Sequence, residues 1–125
     1  LSLMGVAPCG REEGEDASGL IRGDEAAKRE WKNESFIYHE SHRYAGIFTP
    51  ESELILDVDG DHALFDRRND PQQVNNLYGD PALKEVIENL TLRVAEHHLE
   101  RKTPPVTFLK PMRRKILRGR GIEIY

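Results

Sequence analysis

Residues 35–66 read SFIYHESHRYAGIFTPESELILDVDGDHALFD, and their punctuation decides the fold. Ser35 to Glu40 is aromatic and β-branched. Tyr44 to Thr49 is a second such run, closed by Pro50, and Glu53 to Val58 is a third. Asp59-Gly60 then marks a tight hairpin, and His62 to Asp66 supplies a fourth run. Val, Ile, Phe and Tyr fit a pleated, half-buried surface, while Pro and Asp-Gly break it. The connections are too short to hold crossover helices, so neighbouring strands must run antiparallel. The same Asp57-Val58-Asp59-Gly60-Asp61 stretch alternates acids. It lacks the length and closing Glu of an EF-hand calcium loop, which favours a plain hairpin over a metal site.

Beyond this block, Asn69-Asp70-Pro71 ends the strand pattern and Asp80-Pro81 opens a helix, with Asp80 as the N-cap and Pro81 at the first helical position. Leu83, Val86, Ile87, Leu90 and Val94 fall at i, i+3, i+4, i+7 and i+11, which makes one apolar stripe. The spacing predicts a helix to about Arg101, stopped by Thr103-Pro104-Pro105. The expected fold class is therefore α+β: a small antiparallel four-stranded sheet with one long amphipathic C-terminal helix packed on one face.

Toward the N-terminus, Leu3-Met4-Gly5 reads as the last turn of a helix with a Gly stop. Residues 8–19 read as a polar loop, Ser18 to Gly23 as a single helical turn, and residues 24–33 as weakly helical with Trp31 as the apolar anchor. The start carries neither a basic segment nor a long apolar core and begins with Leu, so it reads as a cut within a longer chain. No window approaches the length of a membrane span. Cys9 is the single cysteine, which excludes an internal disulfide.

Charge is unevenly placed. Residues 1–100 carry 10 Lys and Arg against 21 Asp and Glu, whereas residues 101–125 carry 8 basic residues and one acid. The plain reading of the tail is a solvated or self-docking segment; the sharper one is a module for an anionic partner. The tail holds two weak apolar runs, one of which suits an added edge strand. It has only Phe108 and Tyr125 as aromatics, which argues against nucleic-acid base stacking.

Residues 61–79, DHALFDRRNDPQQVNNLYG, resemble the segment ELYDLxNDPxExxNLA near the end of sulfatases. Residues 43–56, RYAGIFTPESELIL, resemble the family's RAVRTxxYKLI strand pair, with Thr49, Leu54 and Ile55 matching. Phe48 stands there for the usual Arg and Glu53 for the usual Lys. Residues 1–23 resemble the linker that closes the catalytic domain, through Gly5, Gly14, Ser18, Leu20, Ile21 and Gly23. The likeness spans residues 1 to about 100.

The resemblance implies a C-terminal fragment of a sulfuric ester hydrolase of the alkaline phosphatase superfamily. On this reading residues 1–30 end the catalytic domain and its linker, 31–102 form the C-terminal subdomain, and 103–125 are a basic tail. The fragment is expected to complete the fold and border the substrate cleft without catalytic residues. Cys9 is followed by Gly10-Arg11-Glu12, so the C/S-x-P-S-R motif that yields formylglycine is absent. Formylglycine and calcium are expected in the missing N-terminal domain, which is the implied partner, with a sulfated small molecule or glycan as the substrate of the whole enzyme. Such enzymes are often periplasmic, secreted or lysosomal.

His39, His42 and Arg43 follow the first strand, where the resemblance places the mouth of the active site; their cationic donors suit sulfate oxygens. The plain alternative is exposed polar residues. His97-His98, near a helix C-terminus, reads as a dipole-favoured pair with one ring on the sheet rather than a metal site. The resemblance also implies an unburied sheet face where the catalytic domain sits, with an apolar patch at Phe36, Ile37 or Ile47.

Overall fold

The structure, a computed structural model, describes residues 2–7, 9, 14–39, 43–100 and 107–124, the last two positions of the long helix by backbone alone. It divides into two compact units, Leu1–Asn33 and Glu34–Tyr125.

The first unit is built from short turns. A 3-10 turn over Ser2–Met4 ends at Gly5, whose φ of +67° is open to glycine at no steric cost. The Ser2 hydroxyl donates to Asp16 at 2.5 Å, and Asp16 also accepts the Ser18 amide at 3.0 Å. These bonds, the Ser2 one foremost, hold the exposed Asp16 carboxyl at about 2. Helix α1 (Ser18–Ile21) is a single turn. Helix α2 (Glu25–Glu30) starts at Asp24, which accepts the Ala26 and Ala27 amides. The two helices meet where a side chain on Gly19 would lie 2.6 Å from the Ala27 Cβ.

The second unit holds a four-stranded antiparallel sheet in the order β1 (Ser35–Tyr38), β2 (Tyr44–Phe48), β3 (Ser52–Asp57) and β4 (Ala63–Asp66). The register aligns Phe36, Ile47, Leu54 and Leu64 across all four strands, with Ala45 opposite Leu56. Alternation therefore puts these six side chains on one face, and five of them are fully or almost fully buried. Helix α3 (Lys84–Glu100) covers that face with Ile87, Leu90, Val94 and Ala95.

Asp80 caps the 3-10 turn Pro81–Leu83 that leads into α3, accepting the Ala82 amide at 2.9 Å. The buried stripe differs from the expected one at Val86, which is 41% exposed, while Thr91 and Ala95 turn inward. The face in contact runs 87, 90, 91, 94, 95 and is centred about 100° around the helix from Val86. The Thr91 hydroxyl is satisfied by donating to the Ile87 carbonyl at 2.7 Å.

The expected apolar patch needs correction. Ile47 is completely buried and Phe36 packs on the core beneath α3. Only Ile37 lies on the opposite face, where it covers Gly46. A Cβ on Gly46 would meet the Leu54 carbonyl at 2.4 Å and Ile37 at 3.2 Å. That opposite face also carries Glu53, buried and accepting a hydrogen bond from the Gln73 amide. Arg67 spans the same end of the sheet: its guanidinium sits 5.6 Å from the Phe48 ring centre and donates to the Thr49 carbonyl at 2.6 Å.

The Asn-Asp-Pro corner is held by side chains. Asp66 accepts the Arg68 and Asn69 amides and the Asn69 side chain at 2.9, 3.1 and 2.7 Å. These donors, the Asn69 side chain first, lower its pKa below the ordinary carboxylate value. Asp70 accepts the Val74 and Asn75 amides. Asn76 then accepts the Leu64 amide at 3.1 Å and donates to the His62 carbonyl at 3.0 Å, so a side chain extends the β4 ladder. Leu77 follows, its amide on the Leu64 carbonyl at 2.8 Å and its side chain on the core.

Among its described residues the tail adds no strand. Residues Leu109–Gly119 form helix α4, because Leu109, Met112, Ile116 and Leu117 recur at helical spacing and turn onto α3 and the core. Pro111 is tolerated because it stands in the first turn, where amides lack intrahelical partners. The helix ends at Gly121, φ +74°, with Gly121 donating to the Arg118 carbonyl and Ile122 to that of Leu117.

Candidate functional site

The polar side chains gather at the end of the sheet where β1 turns into β2 and β3 into β4. Arg43 lies just before β2 and reaches toward the β3–β4 turn. Its Nη2 meets Asp59 at 2.6 Å, its Nε lies 3.4 Å from Asp57, and Nε donates to the Tyr44 hydroxyl at 3.1 Å. Tyr44, then the two carboxylates, raise its pKa. His39 closes β1 with its amide on the Tyr44 carbonyl at 3.0 Å and its ring edge-on to Tyr44, 6.1 Å between centroids. Tyr44 thus brings His39 and Arg43 to one end of the sheet. His42, the third residue singled out from the sequence, lies outside the described residues.

Asp57 is buried and doubly used: it takes Arg43 as partner and accepts the Asp59 amide at 2.7 Å, closing the hairpin whose Gly60 has φ +93°. Its own amide donates to His62 Nδ1 at 3.1 Å. That bond makes Nδ1 the acceptor and leaves the proton on Nε2. Burial lowers the His62 pKa below its ordinary value, against the pull of Asp57 and Asp61.

The His62 ring packs on Tyr78, 4.8 Å between centroids, and both line a groove of about 800 Å³ between the start of α3 and the flank of α4. Asp80, Lys84, Glu88, Met112, Lys115 and Ile116 also line it. Burial raises the Tyr78 pKa above its ordinary value. His62 therefore joins the Arg43 cluster to the groove. Sequence reading missed His62 and Tyr78; the signal available was their place on either side of the Asn-Asp-Pro corner.

At the other end of α3, His97 stacks on Phe36 and His98 is buried edge-on to Tyr38. Both rings lie against β1. Asn89, in one of two Asn-x-Ser/Thr sequences, accepts a hydrogen bond from Arg120 at 2.8 Å. Cys9 is exposed. Among the described residues no three His, Cys, Asp or Glu side chains converge in a way that holds a metal ion. No helix among them is long and apolar enough to cross a membrane. No family model matches the chain, and no curated protein matches it.

Proposed function

We propose that this chain is the C-terminal α+β subdomain of a sulfuric ester hydrolase, completing the fold of a larger enzyme and bordering its substrate cleft. The supporting observation is the corner at Asn69-Asp70-Pro71. The residues through which it resembles the sulfatase ending, Asp66, Asn69, Asp70 and Asn76, cap the turn and bind the chain to β4. A segment with these structural duties supports catalysis that other residues perform.

In this reading His39 and Arg43 stand at the cleft side. The contacts of Arg43 among the described residues occupy Nε and Nη2, so an arriving sulfate oxygen competes with Asp59 or takes Nη1. The described side chains do not assemble an ion site, and Cys9 lacks the Pro-Ser-Arg context. On this reading, as the resemblance implies, calcium and formylglycine would belong to the N-terminal domain.

The test is an assay of the full gene product and of residues 1–125 against an aryl sulfate and a sulfated disaccharide. The expected result is turnover by the full product alone, with Arg43→Ala raising KM for the sulfated sugar. Turnover by residues 1–125, or a gene lacking an upstream C/S-x-P-S-R, would overturn the proposal.

A further inference from the structure

Helix α4 presents Lys110, Arg114, Lys115 and Arg118 to solvent, and none of the four side chains forms an ion pair or hydrogen bond with a described residue. Lys110, Arg114 and Arg118 recur every fourth residue, so they stand about 6 Å apart along a ridge about 12 Å long. The helix has no acid of its own to offset them. Like charges at i, i+4 repel, and Lys110 sits in the first turn, where the helix dipole disfavours a cation. Of the three ridge cations only Arg118, in the last turn, is favoured by the dipole. The neighbouring Arg120, by contrast, is engaged, meeting Asn89 and Glu88 on α3.

We propose that the α4 ridge binds a linear sulfated polysaccharide. Charge complementarity selects a polyanion, since a row of evenly spaced, unneutralised cations matches regularly spaced anionic groups. The choice within polyanions follows from what surrounds the ridge. No exposed aromatic stands among the described residues of α4, and Phe108 packs on the core, so unpaired bases find no stacking platform. Outside α4 the unit is acidic, with 5 Lys and Arg against 14 Asp and Glu over residues 34–100, so the ridge is the part of it that attracts a polyanion, and a narrow single strand can confine itself to that row. Lys115 also lines the groove, which offers a neighbouring sugar the apolar Met112 and Ile116 and the Tyr78 ring. The inference stands apart from the hydrolase reading, because it concerns binding by a helix outside the segments that resemble a sulfatase.

The test is titration of the 125-residue chain with a heparin octasaccharide over a range of salt. Four contacts give a slope of log K against log salt near −3, falling to about −1 in the triple variant Lys110→Gln, Arg114→Gln, Arg118→Gln. Affinity should drop roughly tenfold or more, while Arg68→Gln, on the far side of the corner and paired with Glu51, leaves it unchanged. Circular dichroism confirms that the triple variant keeps its helices. The proposal is overturned if the octasaccharide does not bind, if the triple variant binds as well as the parent, or if single-stranded or duplex DNA of equal charge binds more tightly.

Discussion

The His97 imidazole lies flat against the Phe36 ring, 3.9 Å between centroids and 4° between planes. Phe36 belongs to β1, an edge strand whose one strand neighbour is β2. The last turn of α3 therefore secures an edge strand. His98 adds an edge contact to Tyr38, 5.6 Å between centroids. Replacing His97 by Ala should destabilise the fold by about 1 kcal/mol and lower Tm by roughly 4–8 °C. His97→Phe should restore most of the loss. Urea unfolding measures both, and an unchanged midpoint for His97→Ala would show that the stack contributes nothing.

Asn76 replaces a backbone partner for β4, with its side chain engaging Leu64, Tyr78 and His62. Asn76→Ala leaves the Leu64 amide without its acceptor and should destabilise by about 1–3 kcal/mol. Asn76→Asp keeps the acceptor and loses the donor, so its effect should be smaller. Hydrogen exchange at the Leu64 amide is the direct readout: it should quicken in Asn76→Ala far more than in Asn76→Asp.

Gly46 sits in the middle of β2 with no room for a methyl group, since the obstacle at 2.4 Å is the backbone carbonyl of Leu54. Relief requires β2 and β3 to move apart. Gly46→Ala should destabilise by about 1–3 kcal/mol or more through overpacking. Pairing it with Ile37→Ala removes one clash and leaves the carbonyl, so the double variant should recover little. Full recovery would locate the strain in the side chain instead.

Stability should respond to acid through two groups of opposite sign. His62 has its folded pKa below 6.5, so the unfolded chain takes up the proton first and stability falls as pH drops below that value. Protonation also removes the acceptor for the Asp57 amide. Glu53 has its folded pKa above 4.5, chiefly through burial, with Arg67 opposing. The folded state holds this proton more tightly, so Glu53 adds stability as pH falls toward 4.5 and loses it as pH rises through the raised value. His62→Asn should therefore flatten the stability profile below pH 6.5, and Glu53→Gln should steepen the acid loss. Denaturant unfolding from about pH 7 to pH 4.5 checks both signs.

The sheet was legible because its strands are local events: each run is bounded by a turn residue whose chemistry is unambiguous, such as Pro50 or Gly60. The face of α3 was read nearly right because Ile87, Leu90 and Val94 share a helical period. Val86 was misplaced because contact selected one of two adjacent stripes, and only packing decides that. The tail was harder. Its apolar residues are few, and the helical spacing of Leu109, Met112 and Ile116 is hidden among cations. The linkage of Arg43, Asp57, His62 and Tyr78 joins residues up to 35 positions apart. It rests on strand register and on the Asn-Asp-Pro corner, which no local pattern reports.

Each strand of the sheet pairs with its neighbour in sequence, β1 to β2 to β3 to β4. The loops to be closed are short, so the meander can zip hairpin by hairpin at little entropic expense. Local pairing of this kind favours rapid refolding, with α3 docking as the step that expels water and makes the transition all-or-none. The main phase of stopped-flow refolding should then be fast, and Leu90→Ala, which weakens the docked helix, should speed unfolding more than it slows folding.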